Sequence, residues 1–324
     1  MSGLLEEDHD DSFHHAVTEG RRSPPEALAA LEAAVAVNPQ DLPARGRLIG
    51  ALWSRATARA VEHCGWVIEA MPTREAAVYT QVVFAYEVGL VPIGVRSWEK
   101  AIAAHRDDAR LGHVYFNASR WAAMIDDEHA RVWRDRARAL VTDVDALGLL
   151  DYNEILELGR ERGGDAAARL ARAEALVQSS STALDCLDTL APLAFAAGEL
   201  DKAHAYAEAL LAEMVNPTQD SWHDPHEVWL ARTILGRVAL RRGDLARAAQ
   251  HLVRSAQIEA HPPFTFAGPP LRFAHEMLEA GQRDAVLAFL EHCATFWEEK
   301  ERLERWCAEI RAGRMPDFGR NLDH

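Results

Sequence analysis

The chain has 324 residues, 48% of them hydrophobic, and 50 acidic against 35 basic side chains give it a formal net charge of −15. With Lys only at Lys100, Lys202 and Lys300 and no basic block, this balance argues against nucleic acid as a partner. No apolar run reaches the roughly 18 residues of a membrane span. The start carries neither a basic nor an apolar leader region, so a cytoplasmic protein with no membrane partner is expected.

Residues 1–22 hold Glu6-Glu7-Asp8-His9-Asp10-Asp11 and His14-His15 with few apolar side chains, which predicts an acidic, flexible N-terminus. Ser23-Pro24-Pro25-Glu26 then reads as a helix entry, Ser as cap and Pro in the first turn. From here on helix formers dominate and alternating Val, Ile and Thr runs are absent, so the expectation is all-α. Paired helices are predicted over Asp41–Ala70, Arg74–His105, Asp107–Val141 and Asp145–Gln178, the last turning at Gly163-Gly164. A helix capped by Ser179-Ser180-Ser181-Thr182 contains Pro192, which calls for a kink or for a later helix start.

The unit from His226 to Ala260 is the most complete. Ile234, Leu235, Val238 and Ala239 form an apolar stripe, while Arg232, Arg237, Arg241 and Arg242 are placed on the wet side. Gly243 supplies a left-handed stop, Asp244 caps the next helix, and Pro262-Pro263 closes it. Gly198-Glu199-Leu200-x-x-Ala203 repeats this turn, Gly281-Gln282-Arg283 repeats it more weakly, and Pro39 and Pro72 close earlier helices 33 residues apart. The pattern Leu235-Gly236-x-x-Ala239, Gly243-Asp244-Leu245-x-x-Ala248 resembles a tetratricopeptide (TPR) repeat, whose period is about 34. The resemblance implies a right-handed α-solenoid of about seven antiparallel hairpins, one domain over 23–324. A C-terminal helix bearing Leu303, Trp306 and Ile310 would cap it. The C-terminal stretch from Phe289 to Leu322, with the Gly268-Pro269 loop, further resembles a group of bacterial helical-repeat proteins, from which no activity can be carried over.

Cys64, Cys186, Cys293 and Cys307 are dispersed without a C-x-x-C pair, so free, partly buried thiols and no zinc are expected. His292 and Cys293 are neighbours on a helix and point about 100° apart, which does not make a nucleophile and its base. Asp317-Phe318-Gly319 lacks every other part of a kinase. No catalytic constellation is complete, and no cofactor is assigned.

In a TPR-like register, first helices face a concave surface, which would then carry Tyr79 and Tyr86 beside His113, Asn117, Arg120 and Trp121. Aromatics next to Arg and Asn suit an extended peptide or a carboxylate, so a scaffold that binds a protein or peptide segment is the leading expectation. The alternative is an enzyme or small-molecule site under two long loops, 216–226 and 261–270, where Trp222, His223, His226 and Glu227 would face Phe264 and Phe266. His223-Asp224-Pro225-His226-Glu227 offers zinc-type ligands, but Pro225 breaks the helical H-E-x-x-H spacing. A capping role for Asp224 or His226 accounts for the same residues, and no metal is assigned.

Overall fold

The computed structural model describes residues 12–86, 88–161, 163–179, 186–215, 225–258, 264–265 and 268–322, and among these every regular element is helical. No described helix is long and apolar enough to cross a membrane. The contacts divide the chain into two compact units, 1–157 with 179–182, and 158–178 with 183–324, where a single domain was expected. The boundary falls inside one long helix.

In the first unit, α1 (Ser12–Arg21) precedes α2 (Leu28–Val37), α3 (Leu42–Trp53), α4 (Thr57–Ala70), α5 (Glu75–Tyr79), α6 (Gln81–Tyr86), α7 (Val91–Ala104), α8 (Leu111–Ala122) and α9 (Asp127–Leu140). The expected flexible tail is therefore corrected for residues 12–21. They form a helix that buries Phe13, Ala16, Val17 and Gly20 against α3. Its few apolar residues suffice because the backbones meet: a Cβ on Gly50 would stand 2.0 Å from the Val17 carbonyl oxygen, and one on Gly20 2.0 Å from that of Arg47. The acidic run before Ser12 lies outside the described residues.

Asp41 and Asp126 cap α3 and α9 by accepting the amide hydrogens of Ala44 (2.8 Å) and His129 (3.1 Å). The first helix of the 74–105 pair is broken between α5 and α6, where the Thr80 hydroxyl donates to the Ala77 carbonyl (2.7 Å). Second helices pack together (α4 on α7), as do first helices (α5 on α8).

α10 (Val144–Arg160) spans the boundary. On its first-unit side the buried Arg134 of α9 pairs with Glu154 (3.5 Å) and Glu157, and Arg138 with Asp151 (2.6 Å) and Glu154 (3.0 Å). A buried guanidinium needs such partners, since one left alone would carry its whole desolvation cost.

The second unit contains α11 (Ala166–Ser179), α12 (Leu187–Ala196), α13 (Leu200–Val215), α14 (Pro225–Arg241), α15 (Leu245–Ser255), α16 (Arg272–Glu279), α17 (Arg283–Cys293) and α18 (Lys300–Arg311). α12 begins at Leu187, later than Thr182, and keeps Pro192 within its span. The expected turn is formed at Gly243, whose φ is +79°. Asp244 N–H then donates back to the Ala239 carbonyl (2.9 Å), and the Asp244 side chain caps α15 through Arg247 N–H (3.0 Å). The same backward bond recurs after Gly198 and Gly281, from Glu199 to Ala194 and from Gln282 to Met277, and also after Gly313, which the pattern did not single out.

Gly236 has another task. A Cβ there would come within 2.4 Å of the Phe273 ring, so its bareness lets α16 close on α14. In this unit α12 packs on α14 and α15 on α17. Trp297, Trp306 and Phe318 close the far end, the Trp306 indole donating to the Asp317 carbonyl (2.9 Å). Leu303, Trp306 and Ile310 are all buried, as a capping helix requires.

Candidate functional site

The residues expected on a peptide-binding face separate into two groups. Asn117 and Trp121, one turn apart on α8, belong to the core and not to a surface. Trp121 has 0% exposure and lies 5.2 Å from Phe84 and 6.4 Å from Trp98, its indole N–H donating to the Thr80 hydroxyl (3.1 Å). Its ring presses on α7, where a Cβ at Gly94 would meet it at 2.3 Å. Asn117 donates to the Pro72 carbonyl (3.1 Å) and so fastens α8 to the turn before α5. The four residues 113, 117, 120 and 121 do share one face of α8, within about 100° of its circumference, but at Asn117 and Trp121 that face is turned into the core.

Arg120 is engaged as well. It donates two bonds to Glu75, 2.6 and 2.8 Å long, a forked pair that already satisfies the guanidinium. His113 is partly buried beside Phe116, 6.1 Å away.

Tyr79 ends α5 and Tyr86 ends α6, each with neighbours of its own. Tyr79 is partly buried against Phe13 (6.1 Å) and His14 (4.6 Å). Burial raises its phenol pKa, an effect that Arg21 and a hydrogen bond with Thr18 oppose. Tyr86 is 73% exposed and stands edge-on to Trp53, whose other neighbour is the Arg21 guanidinium at 4.5 Å.

Of the alternative pocket, Trp222, His223 and Phe266 lie outside the described residues. His226 and Phe264, one from each long loop, do meet, with ring centroids 5.8 Å apart. Phe264, however, is buried and packs on Trp229 (5.0 Å) and Phe296 (6.4 Å), as a member of the core. Glu227 is half-buried at the start of α14. Among the described residues no three His, Cys, Asp or Glu side chains are grouped so as to hold a metal ion. All four cysteines are buried free thiols, and burial raises the pKa of Cys64, Cys293 and Cys307, which disfavours the thiolate a nucleophile needs.

One concave feature belongs to the second unit. An open groove of about 600 Å³ is lined by Pro192, Phe195, Ala196, Gly198 and Leu200 from α12 and the turn after it, and by Ile234, Arg237 and Arg241 from α14. Phe195 is half-buried, and two guanidiniums flank its ring, Arg237 at 4.4 Å and Arg241 at 5.6 Å from the centroid. Arg237 is forked onto Glu276 (2.8 and 2.6 Å), which holds it in place and neutralises it. Arg241 is exposed, and among the described residues its only recorded contact is with Phe195. The groove therefore combines an apolar floor, an aromatic wall and a cation that has no carboxylate partner among the described residues.

Sequence reasoning placed Arg237 and Arg241 on the wet side of α14 and passed over Phe195. The usable signal was the Arg pair at i, i+4 on a first helix, opposite a Phe three residues after a Pro within the preceding first helix. Comparison with protein-family models, curated proteins and solved structures finds no match, so the site rests on its own geometry.

Proposed function

We propose that the chain is a non-catalytic helical-repeat binding protein, its hairpins stacked as a right-handed TPR-like solenoid, that holds an acidic peptide segment in the Phe195 groove. The packing of first helices on first helices and second on second supports the stacking. One observation carries the binding reading: Phe195 flanked by a neutralised and an uncommitted guanidinium inside an open groove. An apolar side chain of the segment would cover Pro192, Ala196 and Ile234, and a carboxylate beside it would receive the Arg241 fork. No reacting group is needed for this role.

The test is fluorescence anisotropy with a panel of labelled acidic peptides, each paired with its amide-substituted twin. Binding should require the carboxylate, fall about tenfold or more in both Phe195→Ala and Arg241→Glu, and persist in Arg305→Glu, an exposed cation away from the groove. Equal binding by Arg241→Glu and the unsubstituted protein would refute the reading.

A further inference from the structure

A second cationic feature, separate from the peptide groove, occupies the same hairpin. Closure at Gly243 brings α14 back along α15, and a Cβ on Gly236 would stand 3.0 Å from that of His251. Arg232 is one turn before Gly236, and Arg254 is nearly one turn after His251, so all three side chains share one level range and one side of the hairpin. Their partners are what set them apart. Arg237, Arg242 and Arg247 each have a carboxylate, from Glu276, Asp201 and Asp244. Arg232 and Arg254 have none among the described residues, and Arg232 is half-buried. The His251 Nδ1 is buried without a hydrogen-bond partner.

In a chain of net charge −15, neighbouring cations with no carboxylate partner among the described residues call for a physical explanation. Two guanidiniums near one another repel, and a buried ring nitrogen without a partner costs desolvation energy. An anion between them relieves both. Its class follows from the donors: two planar forks plus one imidazole need more acceptor oxygens than a carboxylate has, and a tetrahedral, doubly charged oxyanion has them.

We propose that Arg232, His251 and Arg254 form a binding site for a phosphate-type oxyanion, either the free ion or the phosphoryl group of a larger molecule. Arg247, held by Asp244 (3.6 Å), lies at its margin and adds positive potential, and the His204 ring, beside Glu208 (3.4 Å), lies there too. The same cations set the state of the histidine. Desolvation first, then Arg232, Arg254, Arg247 and His204, push its pKa down to about 4, and a bound dianion would push it back up.

Isothermal titration of the full chain with sodium phosphate at pH 7.5, against sodium chloride at equal ionic strength, tests this directly. Saturable binding of one phosphate per chain is expected, weakened about tenfold or more in both Arg232→Gln and Arg254→Gln and unchanged in Arg305→Gln, an exposed cation outside both sites. Arg254 is exposed, so its variant decides the matter should Arg232→Gln fail to fold. In the same samples the His251 ring resonances should titrate at higher pH with phosphate than with chloride. A parallel titration with phosphoserine identifies the source. Tighter binding than inorganic phosphate means an esterified group and weaker binding the free ion, and either order supports the site. Heat signals that chloride reproduces, or an Arg254→Gln variant that binds phosphate like the unsubstituted protein, would overturn the proposal. A lost peptide groove with phosphate binding intact leaves it standing.

Discussion

Single residues show where a sequence stops being informative. Trp121, Arg120 and Asn117 are equally plausible on a binding face or in a core, because helical spacing reports which side chains are neighbours and not what lies opposite. The opposing groups decide: Gly94 makes room for the Trp121 ring, and Thr80 and Pro72 offer oxygens at the right distance. As a fully buried indole, Trp121 replaced by Ala should cost about 3–5 kcal/mol, measured by urea unfolding, whereas a surface residue would change stability by less than about 0.5 kcal/mol. His251 makes a prediction in pH. Its folded pKa of about 4 lies below the ordinary histidine value of 6.5, so the unfolded chain takes up its proton first and stability is lost as pH falls from about 6.5 towards 4. In phosphate-free buffer, His251→Gln should flatten this part of the profile of unfolding free energy against pH. An unchanged slope would mean that the ring is solvated in the folded state.

Whole helices were far more legible than contacts. Turn chemistry carries most of that: Gly243 with its Asp cap, and the Gly198 and Gly281 copies, are local signals that need no tertiary context. Since Gly243 sits at φ +79° with open space around its missing Cβ, Gly243→Ala should cost about 1–2 kcal/mol through backbone strain alone, and Gly243→Asn distinctly less. α1 escaped notice for the opposite reason. Its hold on α3 comes from Gly20, Gly46 and Gly50 letting two backbones touch, and small residues carry no hydrophobic periodicity. Gly50→Ala would force its new methyl onto the Val17 carbonyl. A loss of about 1–3 kcal/mol is expected, with faster amide exchange over residues 12–21 than elsewhere in the first unit. Exchange unaffected in that segment would mean that α1 is held by Phe13 and Val17 alone.

At the scale of the molecule, the all-helical class was readable from composition and period, and the division near residue 157 was not. A repeating pattern looks the same whether its cores are continuous or separate. What separates them is which side chains cluster: Phe13 through Trp133 in one unit, Trp229 through Phe318 in the other. The four cysteines fall on both sides, Cys64 within the first core and Cys293 and Cys307 within the second, every one of them buried. A thiol that no reagent can reach is a clock that starts only when its surroundings open. Under mild denaturant, alkylation followed by peptide mass spectrometry should therefore time the opening of each core from within the unmodified chain. Two distinct rates, one at Cys64 and another shared by Cys293 and Cys307, are expected if the cores open as separate cooperative units, and a single common rate if they open as one.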